Sequence, residues 1–287
     1  MNIQILQRGF NYSQDGPGNR LVYHLQGCNL TCPWCSNPEG IPINGCLMKT
    51  GVLYDAACPH GAIHNGTLDR SECKKCRAHD CTAVSDSNLK WSGKIFDTDE
   101  LIKEVLQSKL MFFDGGGVTF TGGEATLQFE QLKELLTKLK KKKIHTAIET
   151  NGTHPRLPEL FPFIDWLIID CKHYDPQKHR AVLGMSNENT LQNLRLAAET
   201  RSQLLVRIPL INGFNAGAKD AEQFAALLFP TMKDGVSLEL LRYHEYGRDK
   251  WNQCGLAYQM NNGFVTDTQF QAFVSVLKQH QIPLIHT

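Results

Sequence analysis

From residue 96 onward the chain alternates between two periodicities. Short apolar runs fall at 117–121, 144–149, 166–170, 204–209, 237–241 and 283–286. Between them, apolar residues recur every three to four positions at 98–109, 127–142, 190–200, 219–229 and 267–280. Short continuous runs read as buried strands, and the three-to-four recurrence reads as amphipathic helix. A further strand is expected at Leu21–Leu25. Strands alternating with helices predict βα units around a parallel sheet. About six units are too few for an eight-stranded barrel. In such sheets the working residues lie at the carboxyl ends of the strands.

Residues 41–95 break this pattern. They lack long apolar runs and hold Cys46, Cys58, Cys73, Cys76 and Cys81. The reading is an α/β body, residues 1–40 and 96–287, with a small cysteine-rich insert at 41–95. A chain of 287 residues with 41% hydrophobic content can bury a core. A net charge of +1 gives no electrostatic case for nucleic acid or a membrane surface. No stretch of 18 apolar residues is present, and the N-terminus lacks a signal peptide's apolar core. Ten cysteines then imply a reducing, cytoplasmic setting and metal ligation rather than disulfides. The Lys138–Lys143 run reads as the solvated C-terminal end of a helix, where lysines favour the dipole.

The densest chemistry is Cys28, Cys32 and Cys35, spaced C-x3-C-x2-C. Three thiolates on one loop can hold three irons of a 4Fe–4S cluster and leave the fourth iron open. A zinc site would want a fourth ligand close by, and His24 falls inside a strand-like run. The flanks are Asp15-Gly16-Pro17-Gly18-Asn19-Arg20 before the triplet, Trp34 within it and Asn37-Pro38-Glu39 after it. This stretch resembles the radical S-adenosylmethionine (SAM) enzymes, and within them the activating enzymes of glycyl radical enzymes. The likeness extends over 1–40 and 96–287.

The resemblance implies an open, partial (β/α)6 barrel of radical SAM type. It implies reductive cleavage of SAM to a 5′-deoxyadenosyl radical that takes hydrogen from a glycine of a partner glycyl radical enzyme. An outside donor of the flavodoxin or ferredoxin type would supply the electron. It also implies site roles. Trp34 and Asn37 lie beside the cluster and cofactor. Gly122, Gly123 and Glu124 of the G-G-E segment receive the methionyl amine. Glu149 and Thr150 help to hold a monovalent cation beside the cofactor's carboxylate, and Asp170 and Lys172 of D-x-K complete that site, Lys172 standing with the cysteines in the catalytic set. Arg207 meets the cofactor. His244, in L-L-R-Y-H-E-Y-G, lies near its adenosine end, and Lys250, Trp251 and Gly255 continue that pattern. Gly184-Met185-Ser186-Asn187 resembles a turn near the partner's loop. Read from the residues alone, paired glycines at a strand end let a ligand approach the backbone closely. Cys171 alternates away from Asp170 and Lys172 and reads as a core thiol.

In the insert, Cys58-Pro59-His60-Gly61-Ala62-Ile63 is like the end of a ferredoxin half, and Cys73-Lys74-Lys75-Cys76 like the start of the next. That logic selects Cys58, Cys73, Cys76 and Cys81 for one auxiliary 4Fe–4S cluster and leaves Cys46 over. A zinc site of Cys73, Cys76, Cys81 and either Cys58 or His79 is the alternative. Two other functions stand beside the main reading: a radical SAM enzyme acting on a small molecule, such as a deazaguanine-forming synthase, and an iron–sulfur carrier or zinc module. The G-G-E, D-x-K and Tyr-His segments speak against a carrier, which needs no cofactor pocket.

Overall fold

A computed structural model describes residues 1–10, 14–73, 75–76, 78–200 and 203–287. Its main sheet contains β1 (Asn2–Gly9), β2 (Arg20–Leu25), β3 (Lys94–Asp97), β4 (Gly117–Gly122), β5 (Thr146–Thr150), β6 (Trp166–Asp170), β7 (Leu204–Leu210), β8 (Val236–Arg242) and β9 (Leu284–Ile285). The order across the sheet is β9-β8-β7-β6-β5-β4-β2-β1-β3. From β2 to β9 every pairing is parallel. At the other edge β1 runs antiparallel to both β2 and β3. β2 and β4–β8 are the six long parallel strands of the expected partial barrel.

The helices are α1 (Thr98–Gln107), α2 (Phe129–Lys141), α3 (Pro176–Leu183), α4 (Glu188–Thr200), α5 (Ala218–Leu228), α6 (Arg248–Gln253) and α7 (Asp267–Gln279). Five match the expected segments to within a few residues; α3 and α6 are additions. The start of α3 has a clear local cause. Asp175 accepts from the amides of Gln177 and Lys178, Pro176 opens the helix, and Gly184 closes it at φ +83°. No helix among the described residues is long and apolar enough to cross a membrane.

Alternation along the strands gives the sheet two unlike faces. Leu21, Tyr23, Leu25, Val118, Phe120, Ile148, Leu167, Ile169, Val206, Ile208, Leu238 and Leu240 join the main core with the helices. The alternate positions carry Arg20, His24, Thr119, Thr121, Glu149, Asp170, Arg207 and Glu239. Hydrogen bonds tie that polar face together: Arg20 to Thr119, Thr121 to Glu149, and Arg207 to both Glu149 and Glu239. A fold that needed only stability would fill this inner face with apolar side chains.

The insert has a small core of its own, formed by Leu47, Leu53, Ala57, Ile63, Cys81 and Leu89 with Cys58 and Cys73 against it. Leu47–Lys49 pairs antiparallel with Leu89–Trp91, and Ile63–His64 with Thr67–Leu68. A helical turn, Arg70–Cys73, follows.

Candidate functional site

A cavity of about 290 Å³ opens where β2 and β4–β8 end. Cys28, Cys32, Trp34, Cys35, Asn37, Gly122, Gly123, Glu124, Glu149, Thr150, Asp170, Lys172 and His244 all line it. Thus every site residue expected in the barrel, except Arg207, is at one mouth.

The cysteine loop is held from three sides. The Cys28 amide donates to Ile41 O at 3.0 Å, and the Thr31 amide to Leu183 O at 3.1 Å. Leu183, just before the Gly184–Asn187 turn, packs with Leu30 and Cys32. From the far side of the chain, Trp251 Nε1 donates to Cys35 O at 2.9 Å. Trp34 lies against Phe214, ring centroids 5.0 Å apart. All three thiols are unpaired by disulfide. Burial pushes Cys28 and Cys32 up to about 12 and Cys35 up to about 11. Bare thiols would stay protonated here; a bound metal supplies the positive charge that makes such thiols ligands.

Lys172 Nζ donates to Asp170 Oδ2 at 2.7 Å and faces Cys32 and Cys28. Burial alone would lower the ammonium's pKa; the Asp170 carboxylate holds it above its usual value. This puts one fixed positive charge between a carboxylate and the cysteine loop.

The G-G-E segment has a structural cause of its own. A Cβ on Gly122 would stand 2.2 Å from Leu25 N, and one on Gly123 would stand 2.2 Å from Gly27 O. The crossing of β4's end with the end of β2 and the chain after it leaves no room for a side chain at either glycine, and both also line the cavity. Glu124 is buried, and its carboxylate accepts from Thr126 N at 3.0 Å, Thr126 Oγ1 at 2.5 Å, Thr150 Oγ1 at 2.6 Å and Asn151 N at 2.7 Å. It braces two strand tips, β4 and β5. Thr150 is engaged in the same brace.

Arg207 lies beneath the cavity rather than in its wall. It donates to Glu149 Oε1 at 2.6 Å, to Glu239 Oε2 at 2.8 Å, and to Gln14 O. Glu149 Oε2 accepts from Thr121 at 2.8 Å. Asp15, from the D-G-P-G-x-R stretch, is buried against Glu149. Burial first, and then the Glu149 charge, push the Asp15 carboxyl up to about 8. Two acids and an arginine thus share a buried proton and charge balance. His244 stacks on Tyr246 at 4.3 Å, and burial lowers its pKa, which leaves the ring neutral.

Several lining or supporting groups went unassigned a role in the sequence. Asn151 sits in an N-G-T stretch that resembles any loop, and its amide meets Asn29 Oδ1 at 2.9 Å. Lys250 donates to Asn37 Oδ1 at 2.6 Å and Glu39 Oε1 at 2.8 Å, across more than 200 positions. No local pattern reveals such pairs.

A second cavity, of about 480 Å³, lies in the insert. Cys58, Cys73, Cys76 and Cys81 line it, with His60 and His79. Cys46 is elsewhere, its Sγ 3.5 Å from that of Cys254. Among the described residues, no group of three or more His, Cys, Asp or Glu converges as ligands of a single ion would. Thiolates that each take a different iron stand around a volume instead.

Residues 22–227 match the Radical SAM superfamily. The chain is 32% identical over 300 residues to the indoleacetate decarboxylase activating enzyme of Tractidigestivibacter scatoligenes, covering 95% of this chain and 93% of that protein. It is 33% identical over 267 residues to the 4-hydroxyphenylacetate decarboxylase activating enzyme of Clostridioides difficile, covering 86% and 84%. A radical SAM methyltransferase from Sphaerobacter thermophilus superposes with a TM-score of 0.58 at 13% identity, over 96% of this chain and 67% of that one. That last likeness is one of fold alone. The chain belongs to the radical SAM superfamily and, within it, to the activating enzymes of glycyl radical enzymes. It is an oxidoreductase whose 4Fe–4S cluster and SAM generate the radical that activates a glycyl radical enzyme.

Proposed function

We propose that Cys28, Cys32 and Cys35 hold three irons of that cluster, and that SAM lies between them and the strand tips. One observation carries this: three unpaired thiols and the Asp170–Lys172 pair share one cavity. The donor set fits, since soft thiolates on one loop suit an iron–sulfur cluster. When bound, cluster and cofactor supply the one-electron cleavage that yields methionine and a 5′-deoxyadenosyl radical. The chain's own residues place and enclose. Lys172 receives the methionyl carboxylate, with Asp170 fixing its ammonium. Glu124 holds the Gly122–Gly123 backbone rigid, and that segment receives the amine. Neutral His244 faces the adenosine end. Trp34, Pro209, Ile211 and Leu241 line the wall and exclude water. Loss of 5′-deoxyadenosine release in single cysteine variants, with dithionite as reductant, is the test.

Glu149 and Thr150 were expected beside a monovalent cation. Arg207 pairs with Glu149 and Glu239 together, one positive charge against two carboxylates, so a monovalent cation beside Glu149 and Thr150 would balance the charge left over. In the insert we assign one auxiliary four-iron cluster to Cys58, Cys73, Cys76 and Cys81. The electron donor is of the flavodoxin or ferredoxin class. The partner is a glycyl radical enzyme, of which the arylacetate decarboxylases activated by the two relatives are examples. Its glycine loop approaches over the Gly184–Asn187 turn, which packs on the cysteine loop.

A further inference from the structure

Cys46 and Cys254 are 208 positions apart, yet their sulfurs stand at 3.5 Å. Cys46 precedes the insert's strand Leu47–Lys49, and Cys254 directly follows α6. Arg70 clamps the two segments together. Its guanidinium donates to Leu47 O at 2.7 Å and to Gln253 O at 2.7 Å, the carbonyls of the residues beside the two cysteines. Gly255 makes room for it: a Cβ there would fall 2.0 Å from Arg70 Nε. The Cys46 amide donates to Ser92 Oγ at 2.8 Å, which fixes the backbone that carries this thiol. Neither sulfur lines the cofactor cavity or the insert's thiol cavity.

We infer that Cys46 and Cys254 are a redox-active pair that closes to a disulfide, stapling the insert to the barrel beside α6. A disulfide needs its sulfurs at about 2.05 Å, so the thiols must approach by about 1.5 Å while the Arg70 clamp holds both backbones. Cys46 is the attacking thiol: the sulfur–sulfur contact with Cys254 first, then Ser92 and the nearby Arg70 charge, lower its pKa. It is half-buried, whereas Cys254 is buried. The oxidant is a small-molecule disulfide such as oxidised glutathione. The Cys46 thiolate attacks one glutathione sulfur and releases the first glutathione thiolate. Cys254 then gives up its proton, attacks the Cys46 sulfur and displaces the second. Two electrons and two protons pass from the pair to the oxidant, which leaves as two reduced glutathione molecules. The staple would anchor α6, whose Trp251 grips the carbonyl of Cys35.

The test uses the anaerobically prepared holoenzyme, equilibrated across ratios of reduced to oxidised glutathione, acid-quenched, alkylated and mapped without reduction. The expected result is a peptide pair joined through Cys46 and Cys254, lighter by two hydrogens, that forms and disappears reversibly with the ratio. Cys254→Ser should stop the reaction at a mixed disulfide of Cys46 with glutathione. Arg70→Met should cut the closed-to-open ratio at a fixed poise by about tenfold, through loss of its two hydrogen bonds. Free, alkylated Cys46 at every ratio in the wild-type protein would overturn the proposal, as would Cys46 joined to Cys58, Cys73, Cys76 or Cys81.

Discussion

Trp251 reaches across the fold to donate its indole N–H to the carbonyl of Cys35 at 2.9 Å. The neighbouring Gly247 presses on the same loop, where a Cβ would stand 2.5 Å from Ser36 Cα. The short helix α6 is therefore the outer wall of the cysteine loop. Trp251→Phe keeps the ring and removes the donor, leaving a part-buried carbonyl unsatisfied at a cost of about 1–3 kcal/mol. The expected outcome is an assembled cluster that loses iron to a chelator several-fold faster. An unchanged rate of iron loss would show that the loop is held by its other contacts.

Single replacement of Cys28, Cys32 or Cys35 by Ala should abolish 5′-deoxyadenosine formation, because on the proposed assignment each supplies one of three ligands and no other cysteine lines the cavity. Appreciable turnover in any one variant would reject the assignment.

Lys172→Met should leave the first cluster assembled and weaken SAM binding by about thirtyfold or more, roughly 2 kcal/mol, since it strips the half-buried Asp170 carboxylate of its partner as well as losing its own contact. Titrating SAM against the electron paramagnetic resonance of the reduced cluster measures this. Wild-type affinity would move the pocket elsewhere.

The buried acids predict a pH dependence. Asp15 has its folded pKa raised from 3.8 to about 8. In that window the native protein holds a proton that the unfolded chain has released, so stability falls as pH rises from about 4 to about 8. The slope from such a group approaches about 1.4 kcal/mol per pH unit. Asp15→Asn mimics the protonated form and should flatten the denaturant midpoint across pH 5–8. Arg207→Met leaves Glu149 and Glu239 facing each other without their cation and should cost about 3–5 kcal/mol. Equal pH slopes in wild type and Asp15→Asn would place the proton elsewhere.

Much of this was legible in the chain, for identifiable reasons. The six long strands announce themselves because they are buried on the helix side and short between breakers. The cysteine loop announces itself because its ligands are local in sequence. β1 was missed although Ile3 and Ile5 alternate with polar residues, the ordinary pattern of an antiparallel strand with one face in the core. Glu124 and Arg207 show the other limit. Sequence located both at strand tips or interiors, but whether a charged side chain faces ligand or braces the protein depends on partners 26 to 193 positions away. Cys46 shows the same limit: spacing left it unexplained, and only the fold brings Cys254 to it.

Iron content tests the insert. Anaerobic reconstitution should give about eight irons from two four-iron clusters, falling to about four in Cys73→Ala. About four irons with one zinc in the wild type would replace the auxiliary cluster with a zinc site and leave the cofactor site untouched.

The central claim is that this chain's radical is passed to a protein glycine. The most direct measurement mixes the reduced enzyme and SAM with its cognate glycyl radical enzyme, and follows the electron paramagnetic resonance spectrum together with 5′-deoxyadenosine. The account predicts a glycyl doublet on the partner that grows in step with 5′-deoxyadenosine and is lost in Cys32→Ala. Release of 5′-deoxyadenosine with consumption of a small molecule, and no protein radical on any partner, would contradict it.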